Sequence, residues 1–446
     1  MNALSAADKG TMQNADKQNA DKQNADKQNA DMQSARKSSL DPLQVKAMFP
    51  IFHNNPLSQN LSYLDNAATT QKPELVMQAM DDAMRCYHSP VNRGFYPLAE
   101  QTTDKYEQAR ERLKAFVGAQ SVSSIIFTGS ATDSINQVAS GFLLPRLRQG
   151  QNVWVSRMEH HANYLPWQQV CEHAGANLRV IELTAEGLLD LPSRPELFSD
   201  STAMIALTHT SNVLGVSNDI TAICEQAKQL NIPVLIDAAQ ALVSNVLNVV
   251  DLDCDFLVFS AHKMFGPTGI GLLYVAPRRL DELQPFRLGG GMVDLAADSI
   301  RETTWSQAPH KFEAGSPNLV GAVGFAAACD FVTSLGQGNV KAHINGLALS
   351  LYTALKAFPQ LRIVTPPAHL SSGIVSFYHE MIHAHDLAQI MGDSGVAVRA
   401  GHHCAQPLLR HLGVSSTLRV SFSAYNTTAD VDAVLAALRH AEEVFG

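Results

Sequence analysis

The stretch Phe256-Leu257-Val258-Phe259-Ser260-Ala261-His262-Lys263-Met264-Phe265-Gly266-Pro267 joins an apolar run to a lysine and then to a Gly/Pro turn. A short apolar run bounded by turn residues reads as a strand buried on both faces. Four similar runs precede it, at 125–128 (IIFT), 153–156 (VWVS), 203–208 (AMIALT) and 234–237 (VLID). Between them lie helix-like stretches such as 218–230, where Ile220, Ile223, Ala227 and Leu230 share one face. Buried strands alternating with helices predict an α/β core, a mostly parallel sheet covered by helices. Beyond about residue 330 the pattern changes. Residues 373–377 alternate in polarity, VAVRAGHHCAQPLL and TLRVSFSAYNT follow, and Val431, Val434, Leu435 and Leu438 line one face of a closing helix. A smaller α+β domain suits that pattern.

Each of the five core runs ends in polar residues: Thr128 to Thr132, Ser156 to His161, Thr208 to Asn212, Asp237 to Gln240 and Ser260 to Lys263. Ligands of open α/β sheets bind outside the carboxyl ends of the strands, so these loops are expected to converge on one site. An isolated lysine at a strand end is usually a solvated charge. Lys263, wedged between an apolar strand and a tight turn, is instead a candidate Schiff-base nucleophile, because desolvation disfavours its ammonium form. Asp237 ends its strand where a buried carboxylate needs a cationic partner; it equally suits a helix cap. The small residues from Thr128 to Asp133 precede a helical segment and suit either a phosphate or an ordinary cap.

Arg399-Ala400-Gly401-His402-His403-Cys404-Ala405 is the other conspicuous segment. Together with His160, His161, His383 and His385 it invites a metal reading, but adjacent histidines point apart and no ligand spacing recurs. Most single cysteines are packing groups. Cys404, beside Arg and His, has the surroundings of a reactive thiolate.

At 446 residues the chain is long enough for two or three domains. Hydrophobic residues make up 46% and charged residues 17%, which excludes wholesale disorder, and the net charge of −9 argues against nucleic acid as a principal partner. Six cysteines without a Cys-x-x-Cys pair imply neither a disulfide framework nor a zinc ribbon. The first residues lack the apolar stretch of a secretion signal, and the least polar later run, at 319–329, is too short to cross a bilayer. A cytoplasmic protein without membrane partners is expected. From Gln13 the chain repeats QNADK, a polar pattern with little to bury.

Taken together, YLDNAATT at Tyr63, MEHHANYLPW, THTSNVLG, IDAAQA, DCDFLVFSAHKMFGPTGIG, KFEAGSPN and RAGHHCA resemble the class V, fold-type I enzymes that use pyridoxal 5′-phosphate. They are most similar to the group II cysteine desulfurases of the Suf and Csd type, with RAGHHCAQPLL and TLRVSFSAYNT favouring the Csd branch. The resemblance implies a fold-type I large domain with a mostly parallel seven-stranded sheet at 61–332 and a small α+β domain at 333–446. A segment at 47–60 would pack on the small domain, after a disordered repeat tail at 1–46. Lys263 would join the cofactor's aldehyde and Asp237 would face its pyridine nitrogen. His160 would stack on the ring and assist proton transfer, Gln240 would bind the ring oxygen, and Thr132, Ser260 and His262 would hold the phosphate, completed by Ser316 of a partner subunit in a homodimer. Asn212 and Arg419 match the clamp for the substrate carboxylate, with Arg399 and Arg93 at its edge. Cys404 matches the nucleophile that takes sulfur from L-cysteine and releases alanine, served by a SufE- or CsdE-like sulfur-acceptor protein.

The family's pattern is departed from at Asn92-Arg93-Gly94, at Gly129-Ser130-Ala131-Thr132 and at Ser316. L-selenocysteine is an alternative substrate, and a dedicated selenocysteine lyase an alternative enzyme. An ordinary aminotransferase has no need of Cys404. A binding protein that kept the fold without catalysis is the non-enzymatic alternative.

Overall fold

Seven largely apolar runs assemble into one sheet: β1 (Ile125–Thr128), β2 (Asn152–Ser156), β3 (Asn177–Ile181), β4 (Thr202–Thr208), β5 (Val234–Asp237), β6 (Phe256–Ser260) and β7 (Gly271–Val275), in the order β1-β7-β6-β5-β4-β2-β3. This computed structural model describes residues 40–445 apart from 59, 192 and 367–371, so the QNADK repeats lie outside the described residues. The five strands read from the sequence are all present. The two not read individually have physical reasons for being obscure. β3 is an edge strand exposed on alternate residues, and β7 follows directly on the Gly/Pro turn.

Only β7 runs against its neighbours, pairing antiparallel with both β6 and β1. The connection 261–270 is too short for the crossover that a parallel return requires. It therefore doubles back and presents Lys263 at the sheet's edge. Since the other strands run in one direction, the carboxyl ends of β1, β2, β4, β5 and β6 share that edge.

A second sheet contains β8 (Leu361–Ile363), β9 (Ile374–His379), β10 (Arg399–Gly401) and β11 (Thr417–Ser421), all antiparallel in the order β8-β9-β11-β10. The closing helix Thr428–Phe445 buries Val431, Val434 and Leu438, as its spacing predicts, while Leu435, expected on the same face, is only half-buried. In the helix Ile220–Gln229, Ile220, Ile223 and Ala227 are buried. Leu230, expected on the same face, lies beyond the helix end and is 47% exposed.

A helix stands earlier in the chain than expected. Pro42–Ala47 is a helix with Val45 buried, inside the stretch assigned to the tail, because Val45 and Phe49 supply apolar anchors that the repeats lack. Phe49 is fully buried against Phe265, Phe331 and Tyr425, and Phe52 also packs on Tyr425. Residues 47–60 thus rest on both halves of the chain, not on the C-terminal part alone. Phe49→Ala should destabilise the fold by about 3–5 kcal/mol, read as a lowered denaturant midpoint.

No single helix among the described residues is long and apolar enough to cross a membrane. The least polar run forms the helix Leu319–Leu335, which packs into the core. It ends at Gly336 (φ 72), where the chain bends by 74° into the helix Gln337–Leu355; the expected division at 332 falls within its last turn.

Candidate active site

The strand ends converge as expected. One cleft of about 230 Å³ is lined by Thr132, His160, Asn212, Asp237, Gln240, Ser260, His262, Lys263, Arg399 and Arg419. Ten residues singled out from the sequence therefore face the same space, eight from loops of the large sheet and two from the small one.

Lys263 has no hydrogen-bond or ion-pair partner among the described residues. Burial lowers its pKa, Asp237 opposes that shift, and Arg419 and Arg399 add to it. The free amine is thus favoured, as a nucleophile requires. Asp237 is buried at the end of β5 and accepts a hydrogen bond from Ala239 N–H at 2.9 Å. Burial raises its pKa, so it is a carboxyl group short of a cation.

His160 accepts the Ala162 N–H at Nδ1 (3.1 Å), which leaves the proton of the neutral ring on Nε2. Burial and then the Lys263 charge lower its pKa to about 3, so the ring is neutral at working pH. Beneath it, Glu159 is fully buried and accepts from Ser156 Oγ (2.5 Å), Asn163 Nδ2 (2.6 Å) and Thr208 N (2.9 Å), tying the ends of β2 and β4 together. Gln240 Nε2 donates to Ala67 O at 2.7 Å.

The small-residue turn after β1 is held from the next loop. Ser260 Oγ accepts the Ala131 N–H at 2.8 Å, while Ser130 Oγ caps the following helix by accepting from Asp133 N. Gly271 pairs with both Thr128 and Ser260, and a Cβ there would meet the Ser130 backbone at 2.6 Å. Only glycine lets the turn settle so close to the lysine loop. The His262 carbonyl accepts from Thr70 N and from the hydroxyls of Thr69 and Thr70 at 3.0–3.1 Å, which pins the peptide before Lys263.

On the opposite wall Arg399 and Arg419 sit directly across from each other on β10 and β11. Like charges so placed repel unless an anion lies between them. Arg419, 1% exposed, donates to Asn212 O (3.0 Å) and Asp65 (3.1 Å), while its buried Nε has no partner. Burial lowers its pKa to about 10, which leaves it charged at neutral pH. Arg399 Nη2 donates to Cys404 Sγ at 3.6 Å, and the thiol is half-buried at the cleft's rim. Asn212 Nδ2 donates to His403 O at 2.8 Å, joining the wall to the cysteine loop.

Two expected residues stand elsewhere. Arg93 lies beside Gly290 and Gly291 and is not among the residues that line this chain's own cleft. The loop that carries it leads into the helix Pro97–Phe116. Ser316 lines a separate hollow behind the small-residue turn, with Gly129 and Asp133. Glu313, which pairs with the fully buried Arg110 at 2.6 Å, lines the same hollow. Asp65 and Glu159 were not singled out. Asp65 follows Tyr63 within YLDNAATT, and only its bridge to Ser421 brings it to Arg419.

The fold and cleft define a pyridoxal-phosphate-dependent enzyme of fold type I. The chain belongs to the aminotransferase class-V family, whose model matches residues 62–434, and within it to the cysteine desulfurases. It is 40% identical over 404 residues to the cysteine desulfurase of Escherichia coli (strain K12 / DH10B), covering 90% of this chain and 98% of that one. It is also 40% identical over 403 residues to a probable cysteine desulfurase of Halalkalibacterium halodurans, with the same coverage. The crystal structure of the Escherichia coli cysteine desulfurase CsdA matches with a TM-score of 0.83 and 36% identity, over 91% of this chain and 99% of that chain. Cysteine desulfurase from Thermococcus onnurineus NA1 matches with a TM-score of 0.82 and 34% identity, over 87% and 96%.

The residues present fit the family's cofactor. An unpartnered amine, a buried carboxyl group lacking a cation, a neutral flat imidazole and a turn of small residues line one cleft. These are the groups that an aldehyde, a pyridinium, an aromatic ring and a phosphate would each engage.

Proposed function

We propose that the enzyme converts L-cysteine to L-alanine and leaves the sulfur on Cys404 as a persulfide. In the net step the substrate C–S bond breaks, a sulfur–sulfur bond to Cys404 forms, the carbon is reduced and the sulfur oxidised. No outside electron source is needed. The observation that carries this reading is Arg399, which lines the Lys263 cleft while its guanidinium reaches the Cys404 thiol.

Pyridoxal phosphate, when bound, supplies an electron sink for the carbon adjacent to the substrate amine. The remaining work falls to the chain. Lys263 Nζ, whose ammonium form burial disfavours, would attach the cofactor and then move protons at the substrate carbon. Asp237 would hold the pyridine proton. His160 would pack on the ring and offer Nε2–H, and Gln240 would bind the ring oxygen. Thr132, Ser260 and His262 would hold the phosphate. Arg419, kept charged and oriented by Asp65 and Asn212, receives the substrate carboxylate together with Arg399, which relieves their mutual repulsion. Arg419→Ala should raise the KM for L-cysteine by about 10- to 100-fold, the loss of a charge-assisted hydrogen bond, in steady-state kinetics.

A homodimer in which Ser316, with Arg93 near it, completes the partner's phosphate site accounts for both lying outside their own cleft. Persulfide sulfur would pass to a SufE- or CsdE-like acceptor protein, in the cytoplasm. A division into a large domain at 61–332 and a small one at 333–446 would set Lys263 and Cys404 on opposite sides of the reacting bond. The test is incubation of the purified holoenzyme with L-cysteine, followed by intact-mass analysis and alanine assay. A gain of one sulfur with matching alanine supports the reading; alanine absent and mass unchanged defeats it.

A further inference from the structure

We propose that His161 is a positioning residue that holds the Cys404 loop against the cleft. The inference rests on the reading of Cys404 as the sulfur-accepting thiol. It adds a role for a histidine that does not itself line the cleft.

The loop needs holding. Gly401 (φ 117), His403 (φ 52) and Cys404 (φ 55) all lie in the left-handed region, and two of them carry side chains that disfavour it. Such a conformation persists only where surrounding contacts overdetermine it. The helix Gln406–His411 begins two residues after the thiol, and Ala405 at its N-cap offers no side-chain acceptor. The Gln406 N–H would be left without a partner.

His161 supplies one from a distant part of the chain. Its ring Nε2 accepts the Gln406 N–H at 3.2 Å, acting as the missing cap, and its backbone N–H donates to Cys404 O at 2.7 Å. His402, whose ring lies 5.8 Å from that of His161, accepts the Cys404 N–H at Nδ1 (3.2 Å). Both peptide groups flanking the thiol are thereby fixed. The neutral ring with its proton on Nδ1 is the form that can accept at Nε2, and burial lowers the His161 pKa in favour of neutrality.

The neighbouring residue gives the arrangement its consequence. His160 faces the cleft and His161 faces the loop, so one short segment sets the height of the ring and the position of the thiol together. Sulfur transfer demands close, aligned approach, and a displacement of about 1 Å costs on the order of 10²-fold in rate.

The test compares holoenzymes carrying His161→Leu, which removes the acceptor, and His161→Gln, whose amide oxygen reaches about as far as Nε2. His161→Leu should slow single-turnover sulfur uptake by Cys404, followed by intact mass, by about 10- to 100-fold. It should also speed alkylation of Cys404 by iodoacetamide, without L-cysteine, by several-fold, while cofactor absorbance stays unchanged. His161→Gln should restore most of both. Wild-type uptake and alkylation in His161→Leu, failure of His161→Gln to recover either, or loss of cofactor absorbance in both variants would overturn the proposal. Wild type gaining no sulfur would instead defeat the functional reading, and the alkylation comparison would still decide whether His161 holds the loop.

Discussion

Lys263→Ala should abolish turnover of L-cysteine, with kcat lowered by on the order of 10³-fold or more. The side chain is asked to do two things that no neighbour can take over. It offers an amine to the cofactor's aldehyde, and it moves protons at the substrate carbon. Among the lysines and arginines that line the cleft, the two others are guanidiniums, which do not give up a proton near neutral pH. The variant should also bind pyridoxal phosphate without the absorbance of a covalent attachment. Absorbance titration and alanine assay check both. A Lys263→Ala protein that kept the wild-type spectrum and more than a tenth of the wild-type rate would show that the amine is not the point of attachment.

Cys404→Ala should cut sulfur release from L-cysteine by about 10³-fold or more. A positioned thiol acts at an effective concentration far above that of any dissolved thiol, and well-oriented groups reach about 10⁵ M or beyond. Replacing it by millimolar reductant forfeits most of that advantage. Cofactor absorbance and the spectral response to L-cysteine should survive, because Cys404 is not among the residues lining the cleft and its side chain touches that lining only through Arg399 among the described residues. Intact mass should show no added sulfur. L-selenocysteine offers an internal comparison, since a selenol ionises more readily and leaves with less help. Retained activity on the selenium substrate alone fits the proposed role, whereas full sulfur activity in the variant removes it.

The two effects differ in kind because the residues reach the site by different routes. Lys263 is placed by local chemistry: an apolar strand, a tight turn and a return too short to cross over. All of that is visible in a dozen residues. Cys404 comes to the site only when the second sheet is assembled, through Arg399 on β10 and through His161 from the far end of β2. Its polar neighbours in the chain marked it as unusual without saying what it would face.

The same contrast separates what was legible from what was not. Five strands, the α/β class and the clustering of polar strand ends follow from hydrophobic period and turn residues, because burial on both faces leaves a continuous apolar run. β3 escaped because an edge strand is only half apolar, and the helix at Pro42–Ala47 because six residues carry too little period to read. Arg93 and Ser316 stand outside the chain's own cleft because a family match at one position does not say where a loop points.

The amino-acid order by itself determined which side chains carry reactive chemistry and that they would gather at one edge of a parallel sheet, since strand direction and side-chain alternation are local consequences of the backbone. The tertiary structure alone decided who holds whom: Asp65 on Arg419, Arg399 on the Cys404 thiol, His161 on the loop behind it. Asp65 and Arg419, and His161 and the loop it holds, are separated by hundreds of residues, whereas Arg399 and Cys404 are five apart and meet through the turn between them; no periodicity encodes the long-range contacts, which form only after both surfaces have folded.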